Sequence, residues 1–329
     1  DTRYDPSLVA SLWPGVLTGD KPIILLGTGG PDVAALQQRL PNDKVPMLMS
    51  TGGYGYGWLP NQWIFNPRPT YPHEVAGFLN WVLPNWKENR PVRIAEVSNE
   101  GPAAYKDIVN GVKNYVDKVL QPQGKAEFVG VEWVALQPTD VSSEVKRLID
   151  KKTDFIHINT NTAQVVATLR ALEQYKAQST KLVLSSHNGV TASGKASSLQ
   201  DLEGHYDVYA MAAEIDTEME AYKIYQQSKD KYGFANLGWD LNTIQGMMQG
   251  VFAARAVERA AKAVGPDKIT GEAVYNAMFG TPFASKELLG LLSDLNFTKD
   301  APFPTSNMKV RITTVKDGKQ VLATPDWIA

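Results

Sequence analysis

Cysteine is absent from the 329 residues of the chain, and histidine occurs only four times. The absence of cysteine excludes disulfides, thiol catalysis, iron–sulfur clusters and cysteine-ligated zinc. The histidines, at positions 73, 157, 187 and 205, are scattered and form no His-Glu-x-x-His zinc motif. The sequence also contains no Gly-x-Ser-x-Gly nucleophile elbow. We therefore expect a protein that is not an enzyme and has no resident metal or cofactor.

Long apolar runs and an excess of charge are also lacking. Runs such as residues 22–27 are far shorter than the roughly 20 residues that a membrane-spanning helix needs. The chain has 33 Lys+Arg and 35 Asp+Glu, a formal net charge of −2, with no dense basic run. Such a chain has no overall electrostatic attraction to nucleic acid, so we expect no nucleic-acid partner. No signal peptide precedes Asp1, as expected of a mature or shortened chain.

The sequence alternates short apolar runs with segments of helical periodicity. Strand-like runs occupy residues 22–27, 45–50, 92–97, 125–134, 155–158, 181–184 and 207–213. Helical periodicity covers residues 33–40, 74–86, 103–120, 143–151, 163–175, 218–232, 242–264 and 271–278. Residues 308–315 and 320–323, joined by Lys-Asp-Gly-Lys, predict an antiparallel hairpin. This order predicts an α/β fold with parallel sheets flanked by helices, arranged in two lobes.

Five loops follow predicted parallel strands, and all of them are small, polar or rich in glycine. They span residues 27–32, 50–54, 98–103, 159–162 and 185–189. Ligands of open parallel sheets bind outside the carboxyl ends of the strands, where helix amino termini also attract anionic groups. These five loops are therefore the candidate binding site.

Several short segments occur in the order and spacing of a known family. They are Tyr4-Asp5-Pro6, Ile24-Leu25-Leu26-Gly27 followed by Thr-Gly-Gly, Val45-Pro46 followed by Met-Leu-Met-Ser50, Leu295-Asn296-Phe297 and Val315-Lys316-Asp317-Gly318-Lys319. The chain resembles, along its whole length, type I periplasmic solute-binding proteins of the branched-chain amino-acid type, which feed ABC importers. Members normally begin with a strand, a long helix and a second strand before the Tyr-Asp-Pro position, and we expect that segment to be absent here.

The resemblance implies a fold of two α/β lobes that hold a ligand in the cleft between them. Lobe one would comprise residues 1–90 and 212–298, and lobe two residues 91–211 and 299–329, the last part being the C-terminal hairpin. The implied function is that of a periplasmic or otherwise extracytoplasmic receptor. It would close its lobes on a small amino-acid-like or aromatic carboxylate and then dock on ABC permease subunits in the inner membrane.

The first candidate loop contains Thr28, Gly29 and Gly30, whose backbone N–H groups we expect to face the ligand. Its Gly-x-Gly-Gly-Pro-Asp pattern also half-resembles a dinucleotide fingerprint, although Asp32 occupies the position of the third glycine. A tight turn without any ligand is a further interpretation. A nucleotide-dependent α/β enzyme that uses Gly27–Gly30 therefore remains an alternative from another functional class.

Two further features of lobe one are candidates through the resemblance. Gly52 and Gly53 allow close backbone approach to a ligand, and Tyr54 stands where the family often has a hydroxyl residue. Trp239, just before a long predicted helix, could close the cleft. For the two aromatic residues, ordinary packing is the competing interpretation.

In lobe two, the resemblance places Ala103 and Asn161 in loops that contact the ligand. Ala103-Ala104 replaces the family's usual Tyr-Gly pair and would widen the cleft, while Tyr105 is more simply a buried helix residue. Thr162 could serve as the N-cap of the following helix, which would leave Asn161 available.

His187 and Asn188 stand near the position of the acidic residue that holds the ligand ammonium in amino-acid binders. A neutral histidine or an amide suits a carboxylate or an uncharged polar group better than an ammonium. A purely structural role is the competing interpretation for His187. A regulatory receptor of the same fold, which senses a ligand without transporting it, also remains an alternative.

Overall fold

The computed structural model describes residues 1–52, 63–233, 236–300 and 307–329. The chain divides into two compact units, residues 1–70 with 216–308 and residues 71–215 with 309–329, which we call lobe one and lobe two. The first boundary lies earlier than the predicted one after residue 90. The reason is that the helix beginning at Tyr71 packs Val75, Phe78 and Leu79 into the core of lobe two.

Helices and strands alternate through most of the chain. In order, the elements are α1 (Pro6–Gly19), β1 (Leu25–Gly27), α2 (Gly30–Leu36), α3 (Leu40–Asp43), β2 (Met47–Met49), β3 (Ile64–Phe65), α4 (Tyr71–Val82), β4 (Val92–Ser98), α5 (Ala103–Tyr115), β5 (Ala126–Trp133), α6 (Ser142–Asp150), β6 (Phe155–Ile158), α7 (Thr162–Gln174), β7 (Lys181–Ser185), α8 (Val190–Ala196), β8 (Tyr206–Tyr209), α9 (Glu220–Tyr232), α10 (Leu241–Val264), α11 (Gly271–Ala277), β9 (Arg311–Lys316) and β10 (Lys319–Leu322).

Lobe one contains a parallel sheet of order β1-β2-β3 in its described part. All three residues of β2 are buried, as expected for the central strand of a sheet covered on both faces. The side chain of Gln249 on α10 donates hydrogen bonds to the carbonyl oxygens of Gly27 (2.8 Å) and Leu48 (2.7 Å). This contact fixes the long helix at the carboxyl ends of β1 and β2.

Lobe two is built on a sheet of order β10-β9-β8-β7-β6-β4-β5. Strands β4 to β8 pair in parallel, whereas β9 is antiparallel to both β8 and β10. This confirms the predicted parallel α/β arrangement and the C-terminal hairpin. Helices α6 and α7 contribute to the apolar core on one face of the sheet, and α4 and α5 contribute to the core on the other.

Four elements were not predicted from the sequence: α1, the four-residue α3, β3 and α8. Helix α1 contains Pro14, which lowers its helical signal, but Pro6 lies in its first turn and Asp5 caps it by accepting from the Ser7 N–H (2.8 Å). Strand β3 is two residues long, and α8 contains Gly194 and β-branched Thr191. Within the described ranges, no helix combines the length and apolarity needed to cross a bilayer.

Candidate functional site

The loop after β1 makes its hydrogen bonds within lobe one. Oδ2 of Asp32 accepts from the backbone N–H of Thr28 (2.7 Å), from its hydroxyl (3.1 Å) and from the N–H of Gly29 (3.1 Å). A residue of the first turn of α2 thus occupies the backbone donors that we expected to face a ligand. A Cβ on Gly29 would lie 2.6 Å from the hydroxyl of the exposed Tyr4, so a side chain here would displace that ring. Gly30 is the first residue of α2.

The loop after β2 lies beside a buried arginine that sequence reasoning missed. Arg68 is completely buried. A Cβ on Gly52 would stand 3.0 Å from Nη2 of Arg68 and 3.2 Å from the carbonyl oxygen of Pro69. The close backbone approach expected at Gly52 is therefore an approach to its own lobe. Gly53 and Tyr54 lie outside the described residues.

Trp239 is packed between two tyrosines at the start of α10. Its ring centroid lies 5.3 Å from that of Tyr222 and 5.2 Å from that of Tyr225. Asp240 caps the helix by accepting from the Thr243 N–H (3.1 Å). These contacts favour the packing interpretation of Trp239.

His187 lies in the loop after β7 and is held by aromatic residues of lobe two. The hydroxyl of Tyr71, on the first turn of α4, is 3.2 Å from Nδ1 of His187. The rings of Tyr71 and Tyr105 meet the imidazole edge-on, with centroid distances of 5.8 and 6.4 Å. Tyr105 is half-buried rather than part of the core. The imidazole is thus oriented, although it stays partly exposed.

A buried carboxylate, Glu74, anchors the same loop from α4. Its Oε2 accepts from the N–H of Ser186 (3.1 Å), and its Oε1 accepts from the Ser186 hydroxyl and from the N–H of Ala210 (3.1 Å). Glu74 is 1% exposed. Sequence reasoning missed this residue, because an acidic residue in the first turn of a helix is ordinary capping chemistry.

Asn188 serves the loop itself. Its side-chain oxygen accepts from the N–H of Ser185 (3.1 Å). Its amide nitrogen donates to the carbonyl oxygens of Ile158 (2.8 Å), the last residue of β6, and of Thr160 (3.2 Å), just after that strand. Both amide hydrogens are therefore used within lobe two, and the side chain is 1% exposed.

The predicted capping of α7 is wrong in its detail. Asn161 is the N-cap, since its side chain accepts from the Gln164 N–H (3.3 Å), and Thr162 is the first helical residue. The side-chain oxygen of Asn161 is thus occupied, whereas we expected this side chain to be available to a ligand. Ala103 is the exposed first residue of α5.

Further along the same sheet, an acidic network lies behind the His187 loop. Asp207 accepts from the Val190 N–H (2.6 Å), and Glu214 accepts from the hydroxyls of Thr191 (2.8 Å) and Tyr209 (2.9 Å). Burial raises the pKa of Asp207 and of Tyr209 well above their usual values. Among the described residues, no three or more histidine or acidic side chains are grouped to hold a metal ion.

The fold and the loops can now be set beside known proteins. The family of periplasmic binding proteins matches residues 1–320. The chain belongs to this family. No curated protein matches it. The predicted family and fold class are therefore confirmed, and this periplasmic binding protein is a substrate-binding protein rather than an enzyme.

Solved structures share the fold of this periplasmic binding protein at low sequence identity. A branched-chain amino acid ABC transporter protein from Thermus thermophilus, with bound valine, is 17% identical, with a TM-score of 0.79 and coverage of 98% of this chain and 83% of that one. A leucine-binding protein from Thermotoga maritima is 14% identical, with a TM-score of 0.73 and coverage of 100% and 86%. An ABC transporter solute-binding protein from R. palustris, in complex with benzoate, is 16% identical, with a TM-score of 0.67 and coverage of 98% and 82%.

Proposed function

We propose that this protein is an extracytoplasmic receptor of an ABC importer that captures a small carboxylate, either aromatic or amino-acid-like, and delivers it to permease subunits. The observation that carries the proposal is the match of the periplasmic binding protein family along residues 1–320. The match agrees with polar loops at the carboxyl ends of parallel strands in both lobes, which are the usual ligand positions in such sheets.

The solute class follows from a chemical feature that the ligands of similar structures share. Those structures are described with bound valine, with bound benzoate and as a fatty acid transporter's substrate-binding protein, and each of these ligands carries a carboxylate. In lobe two, His187 is oriented by Tyr71 and is partly exposed at such a loop. An imidazole N–H is a suitable donor to a carboxylate oxygen.

The proposed contacts come from loops of both lobes. In lobe one they are Gly30, Gly53 and Tyr54, and in lobe two Ala103, Asn161 and His187. Thr28, Gly29, Gly52, Asn188 and Trp239 would act by supporting their loops, because their observed contacts lie within their own lobes.

The direct test is calorimetry with a panel of carboxylates and matched neutral compounds: benzoate, phenylacetate, leucine, valine, benzamide and leucinamide. We expect at least one carboxylate to bind, and its amide to bind at least tenfold more weakly, roughly the effect of losing one charge-assisted hydrogen bond. His187→Gln should weaken the binding of that carboxylate, and its circular dichroism spectrum should show that the fold is intact. Binding of none of these compounds would contradict the proposal.

Lobe closure is a separate part of the proposal. Two lobes joined by three chain crossings can rotate about those crossings, and ligand contacts from the second lobe would favour the closed state. Small-angle scattering should therefore give a smaller radius of gyration with saturating ligand. An unchanged radius with a tight ligand would rule out closure but not binding.

A further inference from the structure

Two neighbouring strands of lobe two carry polar side chains where apolar ones would be expected. Glu96 and His157 are register partners on β4 and β6, and Nδ1 of His157 lies 3.0 Å from Oε1 of Glu96. Two residues further along the chain, Ser98 ends β4 and Asn159 directly follows β6. All four side chains are at most 1% exposed. We call these four residues the β4–β6 polar cluster.

The alternation of side chains places the cluster on one face of the sheet. Ile94 and Phe155, two residues before Glu96 and His157, belong to the apolar core that α4 and α5 cover. Ala95 and Ile156 belong to the core on the opposite face. Because side chains along a strand alternate, the polar cluster continues the first face towards the carboxyl edge. It lies directly before the loops that contain Ala103 and Asn161.

Most polar atoms of the cluster lack a partner. Glu96 Oε2, Ser98 Oγ, His157 Nε2, and Asn159 Oδ1 and Nδ2 are buried without a hydrogen-bond partner among the residues that the structure describes. Buried polar groups in native proteins are almost always paired, with protein, water or ligand. Five orphan atoms at the carboxyl ends of two adjacent strands therefore indicate a place where a further polar group binds.

The chemistry of the orphan atoms indicates what that group is. An ionised carboxylate only accepts hydrogen bonds, so Nδ1 of His157 must donate to it, and the neutral imidazole then presents Nε2 as an acceptor. Glu96 Oε2 and one atom of the Asn159 amide are acceptors as well. The cluster is thus rich in acceptors and includes a carboxylate, which suits a hydrogen-bond donor rather than a further acceptor.

We propose that the β4–β6 polar cluster binds an N–H donor group without negative charge, either an ammonium or a primary amide. If the proposed receptor function holds, this group is carried by the solute, at the end that enters lobe two. The same chemistry in a free ammonium ion would fill the cluster without any solute, and the experiment separates these two sources.

The first arm of the test uses small probes and no solute. Thermal unfolding of the wild type is followed with methylammonium chloride, acetamide or sodium acetate at equal ionic strength. Methylammonium and acetamide should stabilise the protein, and acetate should not. Glu96→Gln should weaken the binding of methylammonium about tenfold and leave the binding of acetamide largely unchanged. The substitution removes a carboxylate charge but keeps the shape of the side chain. Glu88→Gln is the matched control, because Glu88 lies before β4, outside the candidate loops, with a side chain 56% exposed.

A second readout protects the result from a folding defect. The ¹⁵N resonance of His157 Nε2 in the wild type should shift on titration with methylammonium and not with acetate. Ser98→Ala, a milder change in the same cluster, should weaken the binding of both methylammonium and acetamide. If the resonance does not move and Glu96→Gln matches the wild type with both donor probes, the proposal is overturned.

The second arm compares solutes of one backbone: lysine, glutamine, norleucine and glutamate. A preference for lysine or glutamine over norleucine, lost in Glu96→Gln, assigns the donor group to the solute. Binding of methylammonium without any such preference assigns the cluster to a free ion. Binding of methylammonium without binding of any carboxylate solute supports the cluster and contradicts the receptor function. Tight binding of a carboxylate solute without any response to methylammonium or acetamide supports the receptor function and contradicts the proposed role of the cluster.

Discussion

At the two ends of the lobe-two sheet, polar groups with little solvent exposure differ in whether they have hydrogen-bond partners. At the amino end, Asp154 accepts two hydrogen bonds from Arg90 (2.7 and 2.8 Å) and one from the N–H of Arg93 (2.8 Å). Nearby, Nδ1 of His205 accepts from the N–H of Leu182 (2.8 Å). At the carboxyl end, the cluster of Glu96 and His157 leaves five atoms without partners in the described structure.

This contrast separates polar groups that stabilise the lobe from those available for binding. A paired buried group contributes to stability, and its removal leaves the partner unsatisfied. An unpaired buried group lowers stability, and a ligand can recover that free energy by supplying the missing partner. Substitutions at the amino end should therefore lower stability and leave ligand affinity unchanged. Substitutions at the carboxyl end should change ligand affinity with little effect on stability.

The largest effect at the amino end should come from protonating His205. Burial, with a smaller contribution from Lys181, lowers the pKa of His205 to about 4 from 6.5. The folded state thus binds the proton less readily than the unfolded state. The contribution of His205 to the free energy of unfolding is therefore fully present above pH 6.5. It falls by about 3 kcal/mol as the pH decreases to 4. Urea unfolding at several pH values between 7 and 4 measures the slope of the free energy of unfolding against pH.

His205→Asn tests the assignment, because its side-chain oxygen can still accept from the Leu182 N–H but does not titrate. The variant should lose much of the slope between pH 6.5 and 4. It should keep part of it, since burial also lowers the pKa of His73 to about 4. An unchanged slope in His205→Asn would show that other groups govern the acid sensitivity.

Asp154→Ala should have the next largest effect. It leaves the N–H of Arg93 and the guanidinium of Arg90 without their carboxylate, whose hydrogen bond is the main cause of the raised pKa of Arg90. We expect a loss of about 2 kcal/mol in the free energy of unfolding and an unchanged solute affinity. Asp150→Ala, which removes an exposed pair with Lys146, should cost less than about 0.5 kcal/mol. Equal losses in both variants would contradict the argument.

The sequence predicted the fold better than it predicted the contacts of the site. Strands such as β4 and β6 are mostly apolar, and the helices that follow them, α5 and α7, have clear periodicity, so local pattern alone identifies the α/β alternation. The carboxyl-edge loops follow from topology. No local pattern shows that Asp32 turns back onto the N–H groups of Thr28 and Gly29, because its position in a first turn fits several partners.

The buried residues that anchor or line the sites were missed for a different reason. Glu74 contacts Ser186 across 112 positions of sequence, and Glu96 pairs with His157 across 61. Such pairs depend on strand order and register, which the sequence of a single chain leaves open. A carboxylate inside an otherwise apolar strand was nevertheless a signal, because ionised residues are rarely buried without a partner or a role.

Asp32→Ala extends the comparison to the carboxyl edge of lobe one, where the donors are already occupied. Removing the carboxylate leaves the N–H groups of Thr28 and Gly29 without it and should cost about 1 kcal/mol, as the loss of a helix cap does. The freed donors should also strengthen the binding of a carboxylate solute, if the solute reaches this loop. Asp230→Ala, at an exposed position of α9, is the control for stability. A loss of affinity in Asp32→Ala would instead assign the carboxylate of Asp32 a direct part in binding.

Tyr71→Phe should produce the smallest change in stability, because the variant loses the hydroxyl contact with His187 while the ring still packs against the imidazole. We expect less than about 1 kcal/mol, similar to Tyr115→Phe, whose hydroxyl also makes a 3.2 Å contact, with Asn80. The two variants should differ in solute affinity. The Tyr71 hydroxyl contacts Nδ1 of His187 and thereby favours one tautomer of the imidazole, and the variant loses that preference. The ¹⁵N shifts of His187 should therefore change in Tyr71→Phe alone, and the affinity for a carboxylate should fall about threefold. If both variants keep full affinity while the ¹⁵N shifts of His187 change, the imidazole does not contact the solute.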